Sequence, residues 1–363
     1  MSKKIVISGW YGFGNIGDEA ILQAMIDTFE KEYPNCKITV LSYKPEYTRK
    51  VQQVDAVYQI PINGWKTWIK NIVLLRWIPT LKSIKECDIF IMGGGGFLSD
   101  WQPEVPKGWL KQMKIAKFFG KKTMLYGIGA GPFLTDKGKK ETKYYIDNFV
   151  DEVTVRDKES YRQLKEIVKV TQNIQIRIDP VAEMNVNKYI EDTQDDNSVT
   201  LIFTEYFNST YFDKKHHHKW DLLFESFCFQ INAVIDNKMI PKLVFFQKDT
   251  EYNLANKFLN VFGNKIIIEY PAEYKEAIKT LNKSKAIISF RLHGNILAYA
   301  LKKPFLPIIY HHKTAGFLEH IDYPFLNLVL EVGDGQNWKD VTIIKEEWYQ
   351  KTNLFIKELK NEL

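Results

Sequence analysis

The feature that most constrains the fold is a regular alternation of short apolar runs with longer amphipathic segments. The short runs are rich in β-branched residues and have the length of strands, whereas the longer ones have helical periodicity. Strands that are separated by helices predict parallel sheets covered by helices on both faces. The predicted strands are 3–9, 37–42, 54–59, 88–92, 121–127, 152–155, 199–204, 241–246, 264–268, 285–289 and 305–310, and the predicted helices include 17–32, 141–149, 219–236 and 273–283.

The alternation falls into two series, which predicts two domains. A chain of 363 residues is also longer than one ordinary hydrophobic core supports. The polar, acidic segment YIEDTQDDNS (189–198) separates the two series. We therefore predict an α/β chain with two doubly wound, Rossmann-like domains that face a cleft, at 1–190 and 199–340. The last amphipathic run, 345–363, could pack back on the first domain.

Charge and cysteine content narrow the classes of function. The formal net charge of +6 is a mild bias that favours anionic substrates or anionic lipid surfaces and does not suggest a nucleic-acid partner. Cys36, Cys87 and Cys228 form no C-x-x-C pair, which argues against a zinc site or a disulfide framework. The N-terminus enters a strand directly and does not resemble a signal peptide, so we expect a cytoplasmic protein.

One segment suggests contact with a membrane surface. Residues 61–82 combine tryptophans with lysines and arginines, a mixture that suits the lipid headgroup region. The same composition fits a helix with one buried face and one solvated basic face. No run of the sequence is apolar enough to span a bilayer. Peripheral attachment at the inner face of the plasma membrane is therefore one of two open interpretations.

The loop GWYGFGNIGDEAIL (9–22) contains a formal G-x-G-x-x-G between a predicted strand and a predicted helix. A dinucleotide-binding loop also needs an acid at the end of the second strand, where this chain has Ser42. Asp18 and Glu19 in the first helical turn would repel a pyrophosphate, which further disfavours NAD. These acids are either ordinary charges at a helix N-terminus or ligands for sugar hydroxyls. The candidates for the cleft in this loop are Gly14, Asn15 and Asp18.

Two further glycine-rich turns follow predicted strands. They are IMGGGGFLSD (91–100) and GIGAGPF (127–133). Glycine lets the backbone turn tightly and approach a ligand closely, and ligands of open α/β sheets bind at the carboxyl ends of the strands. We predict that Gly94, Gly95 and Gly129 belong to the floor of the cleft.

Two arginines stand directly after predicted strands. Arg156 follows EVTV, where it could bind a carboxylate or phosphate or form a surface ion pair with Asp157 or Glu159. Arg291 and His293 follow KAIISF, and Gly294 opens the next helix. A guanidinium group, an imidazole and free helix N–H groups at one junction favour an anion site with a proton carrier.

Other histidines point less clearly to a site. The run HHH at 216–218 has no acid or cysteine beside it and reads as a surface tract, so no metal site is predicted. The strand that ends at Tyr310 is followed by His311, His312 and Lys313, which places a further lysine at the predicted cleft.

The chain resembles the polysaccharide pyruvyl transferase family. The resemblance spans nearly the whole sequence, in the order of the family's motifs. It implies a fold like that of GT-B enzymes and transfer of a pyruvyl group from phosphoenolpyruvate to sugar hydroxyls, usually as a ketal. The acceptors implied are sugars of a cell-surface polysaccharide or its lipid-linked precursor. The matching segments are GFGNIGDEAIL (12–22), GGGGFLSD (93–100), GIGAGP (127–132), VRDKES (155–160), DPV (179–181) and RLHGNILAYALKKPFLPIIYHHKTAGF (291–317).

The resemblance also implies roles for particular residues. Arg156 and Arg291 would bind the donor's anionic groups, and His293 would be the acid or base of catalysis. The histidines before Lys313 depart from the family's usual small polar or acidic residue, so the acceptor preference stays open. No cofactor beyond the donor substrate and no metal is implied. The donor-binding set implied is Arg156, Arg291, Leu292, His293, Gly294 and Lys313.

Two alternatives share these features. A GT-B glycosyltransferase that uses a nucleotide sugar would have the same architecture and a different donor. A glycan- or lipid-binding protein without catalytic activity would bind its ligand without depending on Arg291 or His293. The sequence makes no prediction about the oligomeric state.

Overall fold

The computed structural model of the protein describes residues 2–62, 75–100, 105–190, 195–205, 219–310, 312–324, 329–331 and 344–361. The chain divides into two compact units, Met1–Met184 and Asn185–Leu363. This division falls a few residues before the acidic segment 189–198.

Seven strands form one parallel sheet in the described part of the first unit. They are β1 (Lys4–Ser8), β2 (Lys37–Ser42), β3 (Asp55–Tyr58), β4 (Ile89–Gly93), β5 (Lys122–Ile128), β6 (Glu152–Val155) and β7 (Ile174–Ile176). The strand order is β3-β2-β1-β4-β5-β6-β7. The order reverses between β1 and β4, which makes their carboxyl ends the topological switch point where ligands of such sheets bind.

Helices cover this sheet because the segments between the strands each carry one apolar face. In the helix Val105–Phe118, Trp109, Leu110 and Met113 are fully buried and belong to the same core cluster as Phe90 and Met92 of β4. Full burial of side chains of this size contributes about 1.5–3 kcal/mol each. The described helices are α1 (Ile16–Glu32), α2 (Pro45–Gln52), α3 (Trp77–Glu86), α4 (Val105–Phe118), α5 (Asp136–Phe149) and α6 (Lys158–Arg162), followed by a π-helical turn (Gln163–Ile167) and a 3₁₀ turn (Pro180–Glu183).

The second unit repeats this plan with six described strands, which are also parallel. They are β8 (Ser198–Ile202), β9 (Ile240–Val244), β10 (Ile267–Glu269), β11 (Ala286–Ser289), β12 (Phe305–Ile309) and β13 (Leu330–Glu331). The order β10-β9-β8-β11-β12-β13 reverses between β8 and β11. Their carboxyl ends form the switch point of this sheet.

The helices of the second unit include the C-terminal one. The described helices are α7 (Lys219–Asp236), α8 (Lys248–Phe262), α9 (Tyr274–Lys283), α10 (Leu292–Ala300), α11 (His312–His320) and α12 (Ile344–Asn361), with 3₁₀ turns at Val186–Tyr189 and Gly263–Lys265. Trp348, Phe355 and Ile356 of α12 are buried in the same core as Phe227 of α7. The apolar face of this helix therefore lies in the core of the second unit, and the suggestion that 345–363 packs back on the first domain stays a prediction.

The α/β prediction is confirmed, and each predicted strand overlaps an observed one. The sequence did not reveal β7 and β13, because runs of three and two residues have no measurable periodicity. Within the described residues, no helix is long and apolar enough to cross a membrane. Most of the tryptophan- and lysine-rich segment, residues 63–74, lies outside the described residues, as does the histidine run 216–218.

Candidate functional site

The opening loop of the first unit is held together by a buried acid. Asn15 caps α1 by accepting a hydrogen bond from the backbone of Gly17 at 3.1 Å. Glu19 is 1% exposed, and its carboxylate accepts a hydrogen bond from the backbone N–H of Gly12 at 2.7 Å and another from Gln52 at 3.1 Å. Burial raises the pKa of Glu19, and these two hydrogen bonds lower it in part. Glu19 therefore ties the loop to the helix and does not face a ligand.

The neighbouring acid, Asp18, lies over the second glycine-rich turn. A Cβ on Gly95 would come 3.3 Å from Asp18 Oδ1, so backbone and carboxylate are near neighbours. A Cβ on Gly94 would lie 1.9 Å from Ile21 Cγ2, and Gly94 has φ +66°, so only glycine fits between this turn and α1. The predicted candidates Asp18, Gly94 and Gly95 are thus together at the switch point, while a Cβ on Gly14 would meet open space.

Arg156 is one partner of a buried ion pair. Its Nη1 donates to Asp179 Oδ2 at 3.0 Å, its Nε lies 3.7 Å from Asp157 Oδ2, and its side chain is 4% exposed. A Cβ on Gly129 would lie 3.0 Å from the guanidinium group, which explains why a glycine stands there. The predicted surface pair with Asp157 is therefore a buried one, and Asp179 is its stronger partner. A donor anion at Arg156 would have to displace a carboxylate that already compensates the charge.

Arg291 spans the switch point of the second sheet. It follows β11, and its Nη2 lies 3.3 Å from both Thr204 Oγ1, which follows β8, and Gln247 Oε1, which follows β9. Its Nε donates to Glu251 Oε1 at 3.1 Å, and Nη2 donates to the same oxygen. Its side chain is 17% exposed, compared with 2% for Glu251. Within the described residues, Nη1 of Arg291 makes no hydrogen bond, so this edge of the guanidinium group can take a ligand.

Glu251 is the residue that the sequence interpretation missed. It lies in the first turn of α8, and its Oε2 accepts a hydrogen bond from the backbone N–H of Gln247 at 3.0 Å. An acid in the first turn after a buried strand was the available signal. That signal is weak, because most such acids only complement the helix dipole.

The start of α10 is fixed by close packing on β11. A Cβ on Gly294 would lie 2.2 Å from Ser289 Oγ, and the Ser289 hydroxyl donates to the carbonyl of Arg291 at 2.8 Å. Gly294 is therefore required for helix packing. Leu292 is buried and His293 is half-buried in the first turn, where helix N–H groups lack intrahelical partners. Arg291, His293 and this helix start thus lie together at one strand end.

The next strand end lies beside it. The Tyr310 ring stacks on Phe290 with centroids 4.2 Å apart and an interplanar angle of 8°. Lys313 is half-buried in the first turn of α11. His311 and the side chain of His312 lie outside the described residues. Among the residues that the structure describes, no group of three or more histidines, cysteines, aspartates and glutamates could hold a metal ion.

A cavity of about 580 Å³ in the second unit is located elsewhere. Its lining includes Asn197, Met239, Lys285 and Pro304, which immediately precede β8, β9, β11 and β12. The cavity therefore lies at the amino ends of the strands, on the opposite edge of the sheet from Arg291. It is not part of the candidate site.

The two parallel sheets and their helices define a class of protein, the two-domain Rossmann-like proteins with a GT-B fold. The chain is similar to S. aureus MnaA solved with UDP (12% identity, 97% of this chain and 91% of that chain covered, TM-score 0.60). It is also similar to the UDP-N-acetylglucosamine 2-epimerases of Rickettsia bellii (13%, 99% and 96%, 0.55) and Methanocaldococcus jannaschii (13%, 99% and 99%, 0.55). At such low identity this likeness shows the fold alone.

The family of the chain is a more specific assignment than its fold. The family model for polysaccharide pyruvyl transferase matches residues 15–312. The chain belongs to the polysaccharide pyruvyl transferase family and is a transferase. No curated protein sequence matches the chain significantly.

Proposed function

We propose that this enzyme moves a pyruvyl group from phosphoenolpyruvate to two hydroxyls of one sugar residue, closes a ketal and releases phosphate. Family membership supports pyruvyl transfer to a polysaccharide or its precursor. The observation that carries the choice of donor site is Arg291, which is fixed at the switch point of the second sheet with its Nη1 edge available. No cofactor other than the donor substrate enters the proposal.

The donor is a small anion with a carboxylate and a phosphate. At the start of α10 it would meet the guanidinium group of Arg291 and the N–H groups of the first turn, including that of Leu292. Lys313, in the first turn of the neighbouring α11, supplies a further cation at the adjacent strand end. Glu251 holds Nε and Nη2 of Arg291, which fixes the direction in which Nη1 points.

We place the sugar acceptor in the first unit, where carboxylates lie near the loop after β1. Burial raises the pKa of Tyr11 well above its ordinary value, and the carboxylates of Asp18, Glu19 and Asp179 raise it further. The carboxylate of Asp18 near this loop suits the hydroxyl donors of a sugar. Asp18, beside the backbone of Gly95, is the group we propose to accept hydrogen bonds from the sugar.

The reaction requires two additions to one carbon. C3 of the enol takes a proton, a sugar oxygen bonds to C2 and releases its proton, and the C2–O bond to phosphate breaks. A neighbouring hydroxyl then attacks C2, releases its proton and closes the ketal. His293 stands in the turn that would bind the donor and can carry a proton near neutral pH, to the carbon or to the departing phosphate. Arg291 compensates the charge on the phosphate as it leaves.

The proposed reaction is tested by measuring turnover. The enzyme is incubated with phosphoenolpyruvate and a panel of sugars, with mass spectrometry for pyruvyl addition and a phosphate assay. We expect Arg291→Ala to lower kcat/KM for phosphoenolpyruvate by about 100-fold or more. The matched control is Arg162→Ala, since Arg162 is 46% exposed and pairs with Glu159 on the surface.

Ligand protection separates the two alternatives. Saturable thermal protection by UDP- or GDP-sugars, and none by phosphoenolpyruvate, would favour a glycosyltransferase. Glycan binding that survives both Arg291→Ala and His293→Ala, with no turnover by the wild type, would favour a binding protein.

The peripheral-membrane proposal needs its own test, because most of the segment 61–82 lies outside the described residues. Replacing Trp65, Trp68 and Trp77 together with the neighbouring lysines should abolish sedimentation with anionic vesicles. Unchanged sedimentation would remove the membrane proposal and leave the proposed reaction intact.

A further inference from the structure

Three aromatic rings form an exposed stack in the first unit. Trp10 and Phe13 have centroids 4.2 Å apart, and Phe13 and Tyr43 have centroids 4.5 Å apart, each pair with an interplanar angle of 13°. The residues are 41%, 37% and 54% exposed. We call these three residues the aromatic stack. Its inner end rests near Trp109, which is fully buried at a centroid distance of 6.1 Å from Trp10.

The loops that carry the aromatic stack are fixed to each other. The backbone N–H of Tyr43 donates to the carbonyl of Tyr11 at 3.0 Å. A Cβ on Gly12 would lie 2.2 Å from Ser42 Oγ, so the loops after β1 and β2 are in direct contact. The buried Tyr11 hydroxyl donates to the carbonyl of Gly93 at 2.5 Å, which anchors the first loop to β4. The rings are therefore held in place before any ligand arrives.

The position of the aromatic stack is that of a binding site. Trp10 and Phe13 follow β1 and Tyr43 follows β2, so the rings lie at the carboxyl edge of the sheet, where ligands of such sheets bind. Asp18 is in the first turn of α1, directly after the same loop. Contiguous exposed apolar surface often marks an interaction site or a ligand-binding groove.

We propose that the aromatic stack binds a pyranose ring of the acceptor glycan, in which the sugar packs on the exposed Tyr43 face. One face of a pyranose presents axial C–H groups, which pack on an aromatic ring, while its hydroxyls point sideways toward hydrogen-bonding groups such as carboxylates. Rings that are already ordered cost little entropy on binding. This inference rests on the proposed function, since it assumes that the family's sugar acceptor binds in this unit.

The experiment measures glycan binding without donor. Saturation-transfer NMR and calorimetry are run on the full chain with methyl β-D-galactopyranoside, methyl β-D-glucopyranoside and methyl N-acetyl-β-D-mannosaminide. Tyr43→Ala should weaken binding about 5- to 10-fold, whereas Tyr43→Phe, which keeps the ring, should stay within about twofold. The matched control is Tyr144→Ala, because Tyr144 is 51% exposed on α5 and lies in no such stack.

The outcomes of this experiment distinguish a glycan from a lipid surface as the ligand of the aromatic stack. Unchanged affinity in Tyr43→Ala, or no glycan binding by the wild type, overturns the proposal. Loss of binding to phosphatidylglycerol–phosphatidylcholine vesicles in Tyr43→Ala, with glycan affinity unchanged, overturns it in favour of a lipid surface. Ring-dependent glycan binding in an enzyme that turns over no phosphoenolpyruvate supports it while the proposed function fails. In an active enzyme, the acceptor KM should rise by the same factor and the phosphoenolpyruvate KM should not.

Discussion

The Arg156–Asp179 pair offers the sharpest test of the site assignment. The family resemblance implies that Arg156 binds the donor, whereas the structure shows its side chain 4% exposed and Asp179's 2% exposed, with an N–O distance of 3.0 Å. Removing one partner of a buried pair costs about 3–5 kcal/mol, because the other charge is left uncompensated. For a unit of 184 residues this corresponds to a fall in Tm of roughly 6–20 °C.

The assay compares Arg156→Ala, Asp179→Ala and the double variant by calorimetry, each with and without phosphoenolpyruvate. We expect both single variants to lose stability, and the double variant to lose less than their sum, because each single variant already loses the Arg156–Asp179 pair. At temperatures where Arg156→Ala is folded, protection by phosphoenolpyruvate should persist. An Arg156→Ala protein within about 1 kcal/mol of wild-type stability that has lost this protection would refute the structural assignment and restore the donor-binding role.

Three further predictions concern stability and reactivity. Gly94 has φ +66°, and a Cβ there would lie 1.9 Å from a side chain of α1, so Gly94→Ala should lower the free energy of unfolding in urea by about 2–5 kcal/mol. Gly120 has φ +70° and open space around its Cβ position, so Gly120→Ala should lower it by only about 1–2 kcal/mol. Burial raises the pKa of Cys87 to about 11 and that of Cys228 to about 12, so both should react with iodoacetamide at least about 100-fold more slowly in the folded protein than after unfolding. Burial raises the pKa of Asp196, but hydrogen bonds from a buried lysine and a serine lower it by more. The ionised carboxylate therefore stabilises the folded protein above pH about 4, and this stabilisation is lost as the pH falls below that value. The Tm difference between wild type and Asp196→Asn should vanish by pH about 2.

The fold could be predicted because it depends on local patterns. A run such as DIFIM is apolar throughout, which indicates a strand buried on both faces, and the structure buries β4 completely. The glycines of the second turn were also informative, since Gly94 has both a left-handed φ and no room for a Cβ. Sequence order and residue type are sufficient for conclusions of this kind.

The partners of the arginines could not be predicted in the same way. Arg156 pairs with Asp179 across 23 positions and Arg291 with Glu251 across 40, and both acids lie on segments whose local pattern gives no sign of the pairing. Position after a strand showed that each arginine would reach the carboxyl edge of a sheet. It did not show whether a carboxylate would already be there.

The charge around each arginine distinguishes Arg156 from Arg291, although both follow a strand in the sequence. Arg156 stands between Asp157 and Asp179, so its cluster carries a formal charge of −1. Arg291 shares one oxygen of Glu251, which leaves a neutral pair, an available Nη1 edge and the positive end of α10 beside it. A dianion loses less solvation and meets more positive potential at the second arginine. The charge at Arg291 therefore supports the proposed donor site in the second unit, and the aromatic stack with Asp18 supports the proposed sugar site in the first unit.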